Sequence, residues 1–356
     1  MHKTKYFLFL LFVFFFSVNV QASSVRLETL AQFNKYPEME YSALWGYTAP
    51  DGREYAILGV QHGTSIIDIT DAPTLREVAF IPGYKTPWRE LKAFNGYAYV
   101  VFDTERNDPP GNVGGMQIID LTQLPNSARL VSTYTGFKTA HTIYIDEARK
   151  LIFTEGNNSA VIRILDISNP TQPQQISSFG VECHDMYVKN NIAYVAEGYH
   201  SSWSMYDTTN PRAPTLITRV EIPNGGYVHN TAVTEDNRYV MTTEEIPEGK
   251  TVKVWDISNL SNIRIVSEYL GPNNLAHNVH IKGRYAYIAH YGAGIRILDM
   301  MNPFMPVEVA HHQFRETMPP SYEGAWEIYP YFKSGKLIFS DISAGLFVVP
   351  FAGAKE

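Results

Sequence analysis

Residues 163–170, RILDISNP, form an apolar run closed by Asp166 and a turn, and the same phrase returns along the chain. It stands as IIDITDAP at 66–73 (Asp68), IIDLTQLP at 118–125 (Asp120), SMYDTTNP at 204–211 (Asp207), VWDISNL at 254–260 (Asp256) and RILDMMNP at 296–303 (Asp299). Alternating apolar residues fit a strand packed on a neighbouring sheet. Asx side chains cap turn amides and proline cannot continue a ladder, so each phrase reads as a strand and its closing turn. Upstream lies a hairpin whose turn is legible as Asn95-Gly96 in AFNGYAY and Asn190-Asn191 in VKNNIAY, pairs suited to the positive φ of a type I′ turn. Downstream comes a fourth strand, as in REVAFI (76–81), QQISSF (174–179) and TLITRV (215–220). Four strands in roughly 41 to 53 residues, with no helical period, are the blade of a β-propeller.

The innermost strand of each unit gives the blade count. It reads SALWGYTA (Trp45), TPWRELKAF (Trp88), AHTIYI (His141), CHDMYV (His184), VHNTAV (His229), AHNVHI (His277) and AWEIYP (Trp326), which is seven blades. The last unit ends at GLFVVPF without a fourth strand, whereas VRLETLAQF (25–33) begins the chain as an orphan of that pattern. The expected fold is an all-β, seven-bladed propeller of four-stranded blades, filling residues 23–356 as one domain. Its last blade is closed by the N-terminal strand, which removes exposed sheet edges.

Residues 1–22 run from Lys3 and Lys5 through an apolar stretch to Val20-Gln21-Ala22, the pattern of a secretory signal peptide cleaved after Ala22. Cleavage removes two of the 29 basic residues and none of the 36 acidic ones, leaving a net charge near −9. Such a surface argues against nucleic acid or anionic membrane as partner. One cysteine, Cys183, forms no internal disulfide, so an exported chain of this size depends on its core. The expectation is a periplasmic or secreted monomer with no membrane span after cleavage.

Aligning the inner strands places His141, His184, His229 and His277 at one equivalent position in consecutive blades, with Trp326, Trp45 and Trp88 in the other three. Counting symmetrically outward from each hairpin turn, where facing residues sit about 5 Å apart, gives each a partner. Trp88 pairs with Asp103, His141 with Glu155, His184 with Glu197 and His229 with Glu244. His277 pairs with His290, Trp326 with Asp341 and Trp45 with His62. All fourteen positions are expected at one end of the central channel, with a histidine side and a tryptophan wall.

Two readings stand. In one, His141, His184, His229 and His277 ligate a transition metal (zinc, copper, iron or nickel). Glu155, Glu197 and Glu244 then orient the imidazoles, or move a proton if the site is catalytic. In the other, the pairs are hydrogen-bonded ties that fill a narrow channel, and the ring is a non-catalytic module. Its ligand is then a glycan, a protein or a small molecule, taken on a propeller face rich in aromatics and carrying long loops at 104–115 and 315–324. Cys183 precedes His184, so on a strand it faces away from it and reads as a small buried hydrophobe, with Asp185 on its side. No serine elbow, phosphate loop or zinc-protease helix motif occurs.

GYVHNTAVTEDNRYVMTTEE (226–245), AHNVHIKGRYAYIAHYGAGIRILDMMNP (276–303) and GAWEIYPYFKSGKLIFSDISAGLFVV (324–349) resemble the LVIVD-repeat propeller proteins, in particular the choice-of-anchor B group. The resemblance spans nearly all of the chain beyond residue 22 and is strongest from Cys183 onward. It implies the propeller fold and carries over no reaction and no catalytic residue. Members of that group often end in a sorting or anchoring segment. This chain stops at PFAGAKE, so the resemblance implies an unanchored form.

Overall fold

A computed structural model describes residues 24–104, 114–155, 161–180, 182–272, 275–314 and 322–355. The signal-peptide expectation at 1–22 and most of the two long loops lie outside them. Seven antiparallel sheets follow one another along the chain and form the blades of a propeller. Blade one comprises Tyr41–Thr48, Glu54–Val60, Gly63–Asp68 and Arg76–Pro82. Blade four, typical of the rest, comprises Asp185–Lys189, Ile192–Ala196, Ser202–Asp207 and Thr215–Glu221.

Each blade is built by the devices read in the sequence. Asn95 and Gly96 have φ of 50° and 81°, and Asn190 and Asn191 have 51° and 65°, the left-handed pair that turns a two-residue hairpin in the sense of the strand twist. The repeated aspartates cap the next turn. Asp120 accepts from Thr122 N at 2.8 Å, Asp166 from Ser168 N at 2.7 Å, Asp207 from Thr209 N at 2.8 Å and Asp299 from Met301 N at 2.9 Å. Between third and fourth strands the register slips in blades one to six. A bulge at that place sharpens the twist that each blade needs.

Blades stack face to face through seven apolar clusters, one for each interface. Between blades three and four, for example, Phe153 and Ile164 meet Met186 and Val195. The cluster joining blades seven and one contains Phe332, Ile338 and Val348 with Leu44, Leu58 and Ile67, so the ring is closed by the same packing as every other joint.

The N-terminal segment closes the ring twice. Ala31–Phe33 pairs antiparallel with Gly345–Pro350 as the fourth strand of blade seven. Val25–Arg26 pairs in parallel with Val307–His312 as a fifth strand on blade six. The outer-strand histidines His311 and His312 tie this segment down, meeting Ser24 Oγ at 2.7 Å and Thr29 Oγ1 at 2.8 Å.

Candidate metal centre at the channel mouth

Innermost strands begin at one end of the channel, and the residues within two positions of their starts border the axis. His141, His184, His229 and His277 stand there in a packed row. Ring centroids are 4.4 Å apart between His141 and His184, 3.9 Å between His184 and His229 and 4.0 Å between His229 and His277. Trp326 continues the row 4.8 Å from His277, and Trp88 faces the same small cavity of about 20 Å³, room for about one water-sized species.

Hydrogen bonds set some of the ring nitrogens. His277 Nδ1–H donates to the Trp326 carbonyl at 2.6 Å, which leaves Nε2 with its lone pair. His141 Nδ1–H donates to Asp103 Oδ2 at 2.8 Å, a carboxylate orienting an imidazole across two blades. By contrast, Nδ1 of His184 and Nδ1 of His229 are buried without a hydrogen-bond partner. A buried polar atom left unpaired costs free energy, and here two imidazoles with ring centroids 3.9 Å apart each carry one.

Among the described residues one group brings three candidate metal ligands together. Ligand atoms of His184, His229 and Glu245 all lie within 4.8 Å of one another. Glu245 is itself held by the Tyr291 hydroxyl, which donates to Oε1 at 2.5 Å. The rings of Tyr227, 5.0 Å from His184, and Tyr291, 4.6 Å from His277, shield the row from solvent.

Electrostatics separate the imidazoles. Burial, then the charge of His141 and His277, hold His184 well below its ordinary pKa. His229 is lowered likewise by burial and by His277, His184 and His141. His277 falls to about 4, chiefly through burial. These three are therefore neutral and ligand-competent at neutral pH. Burial also opposes charge on His141, but the Asp103 hydrogen bond and the Glu155, Asp103 and Glu90 carboxylates outweigh it and raise the group to about 9.

Several pairings counted from the turns are corrected. Glu197 lies opposite His184 in register, yet its carboxylate turns outward, accepting from Ser202 Oγ (2.6 Å), Ser204 Oγ (2.7 Å) and Arg219 Nε (2.7 Å). Glu244 is paired with Lys253 and accepts from Gly226 N at 2.5 Å. A bulge at His229 pairs Val228 with Glu244, shifting the parity of the strand. Glu155 stands opposite Thr142 rather than His141 by the blade-three register. It remains within electrostatic reach of His141, and burial pushes its carboxyl well above the usual range.

The remaining positions divide. Trp45 pairs with Ile57, not His62, and lies at the far end of the channel, because Tyr41–Thr48 is a longer inner strand whose tryptophan falls past its middle. His62 sits in the turn before Gly63, its carbonyl accepting from Gly83 N at 2.9 Å. His290 packs its ring toward Tyr269, 6.5 Å away, outside the row. Asp341 caps a turn, accepting from Ser343 N and Ala344 N at 3.0 Å. Cys183 is buried in the core between blades three and four. Asp185, placed by alternation on the face of Cys183 with a turn or a neighbouring blade as its partner, does bond the next blade, accepting from Asn230 Nδ2 at 2.5 Å, and lines the channel.

The fold and this mouth define a seven-bladed propeller with a histidine row at one end of its channel. The family model of the LVIVD repeat matches residues 157–181 and 275–312, within blades three and six, and supports an LVIVD-repeat propeller. No match was found among curated proteins.

Proposed function

We propose that the channel mouth binds one transition-metal ion through His184, His229 and Glu245, with His277 Nε2 beside it as a further donor and His141, raised to about 9, able to join only when metal displaces its proton. The observation that carries this reading is the grouping of His184, His229 and Glu245, whose ligand atoms lie within 4.8 Å of one another, with both imidazoles keeping a buried, unpartnered Nδ1. Imidazole and carboxylate donors together suit zinc, copper, iron or nickel. Asp103 on His141 and the Trp326 carbonyl on His277 supply the orienting acceptors that metal-binding imidazoles usually have. If the site is catalytic, the chemistry is metal-assisted, and Glu155, whose carboxyl burial pushes well above the usual range, is the nearby group suited to hold a proton.

The signal-like residues 1–22 support export to the periplasm or beyond. The resemblance of residues 226–245, 276–303 and 324–349 supports the choice-of-anchor B group within the LVIVD propellers. Calorimetric titration of tag-free, chelator-treated protein with zinc, copper and nickel salts tests the site. One equivalent should bind, and Glu245→Gln should weaken it by roughly tenfold, the loss of one coordinating or orienting group. Heat from none of the three metals would refute the assignment.

A further inference from the structure

The larger cavity lies at the opposite mouth, where the first hairpins of the blades turn, and encloses about 680 Å³. That is the size of a site for a small organic molecule. Its wall is aromatic, with Trp45, Tyr144, Tyr187 and Tyr331 among the lining residues. Trp45 packs against Tyr331 at 6.0 Å, and Tyr144 against Tyr187 at 5.2 Å.

Below this wall the channel narrows to a belt of buried charge. Lys92 pairs with Glu90, and its ammonium stands 4.4 Å from the centre of the Trp45 ring. His280 Nε2 meets Glu327 Oε1 at 2.8 Å while Tyr331 Oη meets His280 Nδ1 at 3.3 Å. Asn278 Nδ2 donates to Glu327 Oε2 at 3.2 Å. Two carboxylates are thus matched by a lysine and a histidine. Asp185 makes no ion pair of its own: its oxygens are held by the neutral donors Met186 N at 2.7 Å and Asn230 Nδ2 at 2.5 Å, and the Lys92 charge that reaches it is already paired with Glu90. Asp185 faces the large cavity as well as the small one. One carboxylate without a cation of its own thus lies at the base of an aromatic funnel.

We propose that this second mouth is a binding site for a small organic cation, an ammonium head against Asp185 with its apolar body between Trp45 and the tyrosines. Ring faces are electron-rich and attract a desolvated cation, and a buried carboxylate supplies the formal counter-charge. A sugar would gain from the aromatic wall but would leave Asp185 unmatched. An anion would be repelled by a belt in which carboxylates outnumber cations. Asp185 also borders the histidine row, so the test uses chelator-treated protein, in which metal at that row plays no part.

The probes are choline, its uncharged isostere with carbon in place of nitrogen, and maltose, followed by calorimetry and tryptophan fluorescence. Choline should bind at one saturable site, with the isostere and maltose weaker by at least roughly tenfold, the share of a charge contact. Asp185→Asn, which keeps the shape, should lower choline affinity by about tenfold and leave the isostere unchanged. Trp45→Leu should weaken both. The proposal is overturned if choline shows no saturable binding, if the isostere or maltose binds as tightly, or if Asp185→Asn binds choline like the wild type.

Discussion

Replacing Glu197 by glutamine separates a structural carboxylate from a metal-orienting one. The Glu197 side chain is fully buried and accepts from two serine hydroxyls and from both Nε and Nη2 of Arg219. In Glu197→Gln one oxygen becomes an N–H donor. The hydroxyls of Ser202 and Ser204 can rotate to accept from it, but the Arg219 guanidinium cannot. A buried donor or acceptor left unmatched costs about 1–3 kcal/mol. The Arg219 side chain keeps 36% of its surface exposed, so water relieves part of the mismatch and about 2 kcal/mol is expected. At about 2.1 cal/mol/K per residue, the roughly 310 residues described give an unfolding entropy near 0.65 kcal/mol/K, so Tm should drop by about 3 °C. Scanning calorimetry reads the shift, and elemental analysis of the same sample should show unchanged metal content. An unchanged Tm with metal lost would place Glu197 at the imidazole row and refute the reasoning.

Deleting residues 24–33 should open the ring, since it strips the fourth strand of blade seven and frees His311 and His312 from Ser24 and Thr29. The bare edge should show as self-association in gel filtration, and a monomer of unchanged Tm would contradict double closure. In chelator-treated protein, the four histidines' own contribution to stability should be greatest at about pH 6.5. His184, His229 and His277 are depressed in the fold, so stability falls as pH drops below 6.5. His141 is raised to about 9, so its stabilisation is complete below pH 6.5 and is lost as pH climbs through 9. Asp103→Asn should flatten only the alkaline limb of denaturant-measured stability against pH. Cys183 is buried and its thiol is pushed well above its usual pKa, first by burial, so a thiol reagent should label it only on unfolding.

Blade number and closure were legible because they rest on repetition: six Asp-capped phrases, seven inner strands and one orphan strand. The four-histidine row was legible for the same reason, each histidine recurring where its repeat enters the innermost strand, within two residues of the strand's first position. Cross-strand partners were less so, because counting from a turn assumes an unbroken ladder. The bulge at His229 moved the carboxylate at the mouth from Glu244 to its neighbour Glu245, and nothing in TTEEIP distinguishes the two. Trp45 was misplaced because an aromatic was aligned with aromatics, whereas its strand has eight residues and begins before the others in register. Asp185 departed from strict alternation because regular pairing begins only at that residue; Cys183 and His184 precede the strand. The waist formed by Lys92, His280 and Glu327 joins residues from blades two, six and seven, a proximity that no local pattern records.

The central claim is tested most directly by elemental analysis of tag-free protein, wild type beside the His184→Ala/His229→Ala double variant. The account predicts about one transition-metal ion per chain in the wild type and none in the double variant, with both samples folded by circular dichroism. Metal-free wild type after incubation with zinc, copper, iron and nickel, or equal metal in the double variant, would contradict it.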